Sequence, residues 1–172
     1  DIPFVAECGL AAIDLYDFSG ECSEMESTIK VCSEEDTLYS YRNARIAEVD
    51  GRLAGCLISY DGKIYAESSA KTFSMFKDMG IKIKVGEAET GPGEYYLDSM
   101  AVHPSFRGLR LGHILMEDAL EIARKTEGCY RAALLVEKSK IRLRDYYAQL
   151  GFRTEKEVAT FGSRFYKMTL VL

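Results

Sequence analysis

The feature that most constrains the fold is the stretch of residues 95–125, YYLDSMAVHPSFRGLRLGHILMEDALEIARK. It begins with a short run of mixed apolar residues, which ends at His103-Pro104 because proline has no amide to donate to a β ladder. Apolar side chains then recur at helical spacing, at Leu111, Ile114, Leu115, Ala119, Ile122 and Ala123. The stretch therefore predicts a strand, a tight turn and an amphipathic helix.

The turn within this stretch, residues 107–112, contains two glycines and two arginines. A glycine-containing turn that leads into a helix exposes unpaired amides at the positive end of the helix dipole, which favours an anion. Arginine suits a phosphate in particular, because its guanidinium group donates paired hydrogen bonds. The alternative is a basic turn before an ordinary helix, and the turn alone favours that alternative.

Composition indicates a single domain spanning residues 1–172. With 172 residues and 47% apolar content, the chain is long enough to bury a core. It has neither a run of about 20 apolar residues that would span a membrane nor a charged-then-apolar leader, so we expect a cytoplasmic protein. The five cysteines are scattered without Cys-x-x-Cys spacing, and the only histidines are His103 and His113. We therefore expect reduced, mostly buried thiols and no metal.

Charge is unevenly distributed along the chain. The overall net charge of −5 argues against nonspecific nucleic-acid binding. From Glu21 to Asp36 six acids accompany one lysine, whereas from His103 to Arg144 nine bases accompany five acids. A polyanionic cofactor would prefer the second region and a cationic acceptor the first. The alternative is that both regions are solvated surfaces.

The rest of the chain predicts further helices and strands. Helices are predicted from Asp1 to a break at Ser19-Gly20, over 23–33, over 67–79 with Ala70, Phe73, Phe76 and Met79 toward the core, and over 138–150. Strands are predicted over 44–49 and 53–60, joined by a hairpin at Asp50-Gly51, and over 81–85, 130–137, 152–158 and 164–172. Residues 86–94 are expected to form a flexible loop. The whole connection 61–94 is either a lid or a plain structural insertion.

Residues 100–108, MAVHPSFRG, followed by Leu111-Gly112 and the apolar helix, resemble the acetyl-CoA-binding segment of the GNAT N-acetyltransferase superfamily. The turn pattern of that family is Gln/Arg-x-x-Gly-x-Gly/Ala. Arg107 and Gly112 match its first and last positions, and Arg110 replaces the glycine between them. If that glycine serves a positive φ, an arginine costs on the order of 1 kcal/mol. If the glycine is needed because the pyrophosphate lies close to this Cα, the Arg110 side chain must point outward. It then either pairs with a phosphate or belongs to a cofactor site that has lost its function.

A second resemblance lies at the end of the predicted helix 138–150. The family commonly places a tyrosine four residues before a Gly-Phe pair, and Tyr147 precedes Gly151-Phe152 in this way. Lys140 and Leu143 replace the asparagine and alanine of many members. Together with the closing strand, the two motifs cover roughly residues 95–172. The first half of the chain matches only in its pattern of elements, and the first strand of the family would lie before residue 1.

The resemblance implies that an amine attacks the thioester of acetyl-CoA directly. The amide of Met100 would face the thioester oxygen, the backbone of Val102 would pair with the pantetheine arm, and the amides of Leu111, Gly112 and His113 would hold the pyrophosphate. The complete set of implied cofactor-binding residues is Met100, Ala101, Val102, Arg107, Gly108, Leu109, Arg110, Leu111, Gly112, His113, Lys140 and Tyr147.

The resemblance also implies residues for proton transfer. Asp98 would take the amine proton, and its alternative is a solvent-facing or salt-bridged strand carboxylate. Tyr147 would protonate the leaving thiolate, and its alternative is a core tyrosine. Glu94 is a weaker candidate base, and Tyr96 is expected to be a packed strand residue or a pocket wall.

The fold implied is α/β and GNAT-like, with a mixed, mostly antiparallel central sheet, helices on both faces, and an opening between the strands near Tyr95 and Tyr130. The expected function is N-acetylation of a small-molecule or peptide amine, and the acidic residues 21–36 hint at a cationic acceptor. No nucleic-acid or membrane partner is expected, and dimers are common in the family. The alternatives are a non-catalytic acyl-CoA-binding sensor or scaffold, and an interaction module without a cofactor.

Overall fold

The computed structural model describes residues 1–172 and has an α/β architecture. Its helices are α1 (Ile2–Ala12), α2 (Met25–Ser33), α3 (Tyr65–Asp78), α4 (Leu111–Lys125) and α5 (Ile141–Gln149). Its strands are β1 (Ala44–Val49), β2 (Arg52–Asp61), β3 (Glu94–Val102), β4 (Arg131–Glu137), β5 (Arg153–Thr160) and β6 (Ser163–Val171). None of the helices combines the length and the apolar character needed to cross a membrane.

The six strands form one sheet in the order β1-β2-β3-β4-β6-β5. Neighbouring strands pair antiparallel, except that β3 and β4 run parallel. The β3–β4 ladder covers only three residue pairs and ends at Tyr96 and Ala133, so the remainder of β3 has no partner on that side. The predicted mixed sheet, opened between the strands near Tyr95 and Tyr130, is confirmed.

Helices cover both faces of the sheet, because alternate residues of a strand point to opposite sides. The first face packs against α4 and α5, through Leu97, Leu134 and Val136 of the sheet and Leu115, Met116, Ala119 and Tyr147 of the helices. The second face packs against α1, α2 and α3, through Cys56, Ile58, Tyr60 and Tyr96 of the sheet and Val5, Cys8, Cys32 and Tyr65 of the helices. All five cysteines are free, and Cys8, Cys32 and Cys56 are buried.

Two predicted turns have the expected backbone. Asp50 and Gly51 both have positive φ, 51° and 72°, as a two-residue hairpin that matches the strand twist requires. At the end of α5, Gly151 has a φ of 95°, and the amide of Phe152 donates to the carbonyl of Tyr147 at 3.1 Å. The rings of Tyr147 and Phe152 also meet edge to face, with centroids 6.0 Å apart. This glycine cap with its apolar contact confirms the predicted end of the helix.

Three local predictions are wrong. The first helix ends at Ala12 rather than near Ser19, because Asp14 and Phe18 adopt positive φ and leave the helical region. Residues 13–24, between α1 and α2, are called the α1–α2 loop below. Residues 81–85 form no strand, because no neighbouring strand pairs with them.

The third wrong prediction concerns the inner face of α3. Ala70, expected in the core, is exposed, whereas Thr72 is fully buried. The Thr72 hydroxyl accepts from the amide of Leu38 at 2.9 Å and donates to the carbonyl of Ser68 at 2.7 Å. A polar side chain whose hydrogen bonds are satisfied can occupy a core position, which an apolar pattern does not reveal.

Candidate active site

A cleft of about 640 Å³ lies where β3 has lost its β4 neighbour. One wall consists of Met100, Ala101 and Val102, with Arg107 from the following turn. The other wall is the end of α1 and the α1–α2 loop, through Ala11, Ala12, Asp14, Leu15, Tyr16, Asp17, Phe18, Ser19 and Glu21. The structure therefore brings the predicted strand residues and Arg107 together at one concave surface.

A β-bulge in β3 sets the direction of the side chains at this cleft. Leu97 pairs with Ser59 and Ser99 pairs with Ile58, so Asp98 is an extra residue opposite β2. The extra residue shifts the alternation, so that Leu97 and Met100 both pack toward α4, while Ala101 packs toward α1. Bulges often lie next to active sites because they re-aim side chains in this way.

Asp98 lies at the bulge, two residues before the cleft wall, and is half-buried. Its carboxylate accepts from the Tyr60 hydroxyl at 2.7 Å and from the Ser99 hydroxyl at 2.8 Å. Burial raises the pKa of Asp98, although these two hydrogen bonds oppose the shift. Asp98 forms no salt bridge, so a carboxyl with raised basicity lies next to the open part of β3.

Tyr147 lies in the core cluster on the α4–α5 face, against which Met100 also packs. Its side chain is 8% exposed, no protein group hydrogen-bonds its hydroxyl, and the hydroxyl oxygen is not sealed from solvent. Burial, with a smaller effect from Tyr146, raises the pKa of Tyr147 to about 12. The phenol therefore stays protonated at neutral pH and can donate a proton. Asp98 contacts Tyr60 on the opposite face of the sheet, so the two groups flank the opening from different sides.

The turn at residues 107–112 forms a concave array of backbone donors. Gly108 and Arg110 both have left-handed backbones, with φ of 84° and 59°. The amides of Gly108, Leu109 and Arg110 have no acceptor in the chain, and those of Leu111 and Gly112 belong to the first turn of α4. Successive free amides in left-handed and helical conformations create an anion-binding concavity.

The structure changes one detail of the expected pyrophosphate site. The amide of His113 donates to the carbonyl of Arg110 at 3.0 Å, so it is not free as expected. The free donors are instead the amides of residues 108–112. The positive φ of Arg110 also shows why a glycine suits this position: the backbone itself is left-handed.

Positive charge at the turn is uncompensated. The side chains of Arg107 and Arg110 are exposed, and the ion pairs of the chain involve neither of them. Lys140, immediately before α5, instead pairs with Asp14 of the α1–α2 loop at 2.5 Å. The expected cofactor-binding lysine thus joins the start of α5 to the α1–α2 loop wall of the cleft.

Glu94, the weaker candidate base, is excluded by its surroundings. It is 3% exposed, accepts from Lys167 at 2.6 Å and Thr90 at 2.8 Å, and pairs with Arg131 at 2.7 Å. Burial alone would raise the pKa of Glu94, but the hydrogen bonds from Lys167 and Thr90 hold it below its ordinary value. Glu94 is therefore the anion of a buried structural ion pair.

The acidic segment 21–36 is largely neutralised within the chain. Glu26 pairs with Lys30, Glu34 and Asp36 pair with Lys71, and Glu35 pairs with Arg42. Of the acids in this segment, only Glu21 lines the cleft, where Asp14 and Asp17 of the α1–α2 loop join it. The negative charge relevant to an acceptor is thus confined to the α1–α2 loop.

The structure also reveals polar residues that sequence reasoning missed. Tyr60, which binds Asp98, was expected only as the end of a strand, and Glu89 was expected in a flexible loop. Glu89 is 7% exposed and accepts from the hydroxyls of Tyr96 at 2.7 Å and Tyr65 at 3.3 Å. No local pattern marks either residue, because the contacts of Tyr60 with Asp98 and of Glu89 with Tyr65 join separate elements of the fold.

Comparison with known proteins gives a consistent picture. The model of the acetyltransferase (GNAT) family matches residues 11–152. A solved acetyltransferase structure aligns over 99% of this chain and 94% of its own, with 23% identity and a TM-score of 0.78. An N-acetyltransferase from Staphylococcus aureus Mu50 aligns over 98% of this chain and 96% of its own, with 18% identity and a TM-score of 0.76. A GNAT family acetyltransferase from Elizabethkingia anophelis with acetyl-CoA bound aligns over 75% of each chain, with 13% identity and a TM-score of 0.50. Curated protein sequences contain no match.

Proposed function

Because the chain belongs to the acetyltransferase (GNAT) family, we propose that it acetylates an amine of a small molecule or peptide by direct attack on acetyl-CoA. The observation that carries this proposal is the junction of a strand segment without a partner on its β4 side, Met100–Val102, with free amides at the start of α4. The strand segment can form backbone hydrogen bonds with an extended ligand arm, as it would with a neighbouring strand. The free amides can bind a phosphate. The charge of the turn supports the same ligand, since Arg107 and Arg110 are unpaired.

The residues present fit acetyl-CoA. The amides of residues 108–112, with Arg107 and Arg110, would hold its pyrophosphate, and Met100, Ala101 and Val102 would line its arm. When bound, acetyl-CoA supplies an acetyl thioester, whose C–S bond breaks as the amine nitrogen forms a C–N bond with the carbonyl carbon. Lys140 would be a further cation for the cofactor, and it pairs with Asp14, a residue that lines the cleft.

Two side chains are assigned to proton transfer. Asp98 accepts the proton that the attacking nitrogen loses, and the raised pKa of this carboxyl makes it a stronger base than an ordinary aspartate. Tyr147 gives its hydroxyl proton to the leaving sulfur, which its protonated state at neutral pH permits. The backbone amide of Met100 is assigned to the thioester oxygen, as a donor for developing negative charge.

The acceptor is proposed to be a cation, because Asp17 and Glu21 bring negative charge to the wall of the cleft opposite β3. The test is to incubate the protein with acetyl-CoA and a panel of primary amines that includes linear polyamines, basic peptides, acidic peptides and arylamines. Release of the CoA thiol and the mass of the product are then measured. We expect amine-dependent thiol release, fastest with cationic amines. Binding of acetyl-CoA without transfer to any amine would favour the alternative of a non-catalytic sensor or scaffold.

Asp98→Asn tests the assignment of the base. Asp98 acts as a base only above its raised pKa, so the wild-type rate should rise with pH through that value. The variant should lose that rise and roughly 10²-fold or more in rate. The loss should be largest above that pKa, where the wild-type carboxyl is ionised, and Asp78→Asn at the exposed end of α3 is the control. An unchanged pH profile in Asp98→Asn would remove Asp98 as the base.

A further inference from the structure

Glu89 is a buried carboxyl to which the proposed chemistry assigns no role. The loop that carries it is fixed to the end of β5 rather than free. The amide of Glu87 donates to the carbonyl of Ala159 at 3.0 Å, and the Glu87 carboxylate accepts from the amide of Ala159 at 3.0 Å. The amide of Gly86 donates to the Thr160 hydroxyl at 3.3 Å. The position of Glu89 in the core is therefore set by backbone contacts on the preceding residues.

Two tyrosines connect Glu89 to the neighbourhood of Asp98. The Tyr96 hydroxyl donates to Glu89 at 2.7 Å, and the Tyr60 hydroxyl donates to Asp98 at 2.7 Å. The rings of Tyr60 and Tyr96 pack together with centroids 5.7 Å apart. Each carboxyl is thus held by one member of a packed tyrosine pair on the α1–α3 face of the sheet.

Glu89 has no ion pair of its own. The positive charge of Lys167 acts on Glu89, but the ammonium group of Lys167 donates to Glu94 at 2.6 Å. The titratable groups that face Glu89 are Tyr39 before β1, Tyr60 on β2, Tyr65 on α3, Tyr96 and Asp98 on β3, and Lys167 on β6. Asp98 is the only other carboxyl among these groups, and its charge acts with burial to raise the pKa of Glu89.

We propose that Glu89 is a positioning residue for acetyl transfer that acts through Asp98, as the second carboxyl of a pair held by the packed rings of Tyr60 and Tyr96. This inference rests on the proposed function. Two carboxyls that share a poorly solvated site resist ionising together and therefore titrate as a pair. Burial, followed by the charge of Asp98, raises the pKa of Glu89 to about 8, although Tyr96 and Tyr65 oppose the shift.

The pairing has a consequence for the base. In the proposed pair Asp98, the member next to the cleft, ionises first and carries the single charge while Glu89 is protonated. As the pH rises through the pKa of Glu89, a second negative charge forms on the Glu89 carboxyl and makes Asp98 more basic. The rate should therefore gain a further step near pH 8 that belongs to the protein rather than to the amine.

The pair can be tested without turnover, by carbon NMR of protein labelled at the glutamate carboxyl carbons. The resonance lost in Glu89→Gln identifies Glu89. We expect it to titrate near pH 8 in the wild type, and at least about one pH unit lower in Asp98→Asn, where the second charge is gone. Glu87→Gln is the matched control in the same loop and should leave the midpoint unchanged. The proposed pair would be refuted if the Glu89 resonance titrates at the same pH as the surface glutamates. It would also be refuted if the titration midpoint of Glu89 is the same in Asp98→Asn as in the wild type.

The role in catalysis is tested with the fastest amine of the panel, by comparing pH profiles of kcat for the wild type and Glu89→Gln. The glutamine oxygen can still accept from the Tyr96 hydroxyl, so we expect the affinity for acetyl-CoA to be unchanged. The several-fold rise in kcat that the wild type shows near pH 8 should be absent in Glu89→Gln. Glu89→Asp, which retains a carboxyl, should restore part of that rise, whereas a merely structural role would give parallel profiles.

The outcomes separate the two proposals. Suppose that NMR shows coupled titration but the pH profiles of kcat for the wild type and Glu89→Gln superimpose. The role of Glu89 in acetyl transfer is then refuted, while the proposed function stands. If the wild type transfers acetyl to no amine, the proposed function fails, and the role of Glu89 in it fails as well. The NMR result then still decides whether the carboxyl pair exists.

Discussion

Arg110→Gly separates the backbone conformation of the turn from its charge. Arg110 has a φ of 59° and a ψ of 20°, a left-handed conformation that is unfavourable for residues with a Cβ. A residue with a side chain at positive φ is destabilised by roughly 1 kcal/mol relative to glycine, after the greater freedom of glycine in the unfolded chain is included. For a chain of this size that free energy corresponds to a rise in Tm of roughly 2–4 °C.

The same substitution should weaken acetyl-CoA binding. Arg110 is exposed and has no partner in the chain, so its guanidinium group is available for a phosphate. An exposed charge-assisted contact contributes modestly, and we expect a roughly 5-fold larger Kd. The assays are thermal unfolding without ligand and calorimetric titration with acetyl-CoA. The expected signature is therefore higher stability together with lower affinity.

Arg107→Gly provides the matched control. Arg107 has a φ of −63° and a ψ of 154°, which any residue adopts, so glycine there should lower stability by roughly 0.5–1 kcal/mol. It also removes a cation from the cleft wall, so the affinity should fall as in Arg110→Gly. A Tm of Arg110→Gly that is unchanged or lower would refute the conformational argument, and an unchanged Kd would refute the assignment of Arg110 to the cofactor.

Two further substitutions test the chemistry and the packing. Tyr147→Phe should slow turnover by roughly 10²-fold or more while leaving the Kd for acetyl-CoA nearly unchanged, because only the proton donor is removed; equal losses in turnover and binding would contradict the general-acid role. Gly62→Ala should lower the free energy of unfolding by roughly 1–3 kcal/mol, because a Cβ there would lie 2.2 Å from the Gly91 carbonyl oxygen and 2.9 Å from that of Glu94. In Gly91→Ala the new Cβ would meet no atom within 4 Å, so the free energy of unfolding, measured by chemical denaturation, should fall much less. An equal loss of stability in the two variants would show that the close approach at Gly62 does not matter.

The strand, turn and helix at residues 94–125 could be predicted because their signals are local. Proline ends β3, glycine permits the left-handed backbone at residue 108, and apolar spacing marks α4. The helix end at Gly151 was likewise encoded within a few residues. The family's two motifs lie in these segments, which is why the fold and the glycine-containing turn before α4 could be predicted from the sequence.

The arrangement around Asp98 could not be predicted, because it depends on contacts between distant segments. The bulge exists only in the register of β3 against β2, and a single strand contains no sign of it. Glu89 is buried only because its loop docks on β5 and because Tyr65 and Tyr96 donate to its carboxylate. The loop is rich in glycine and acids, a composition typical of mobile segments, and tertiary hydrogen bonds override that tendency.

The most direct test of the central claim is thermal unfolding of the wild-type chain with and without acetyl-CoA, with ATP as an anion control. At about 100 times its dissociation constant, a ligand adds roughly 2.7 kcal/mol to the free energy of unfolding. That addition corresponds to a rise in Tm of roughly 5–10 °C for a chain of this size. A rise of this order with acetyl-CoA and little change with ATP is the predicted result. No rise with acetyl-CoA, or an equal rise with ATP, would contradict a working acetyl-CoA site at the turn of residues 107–112.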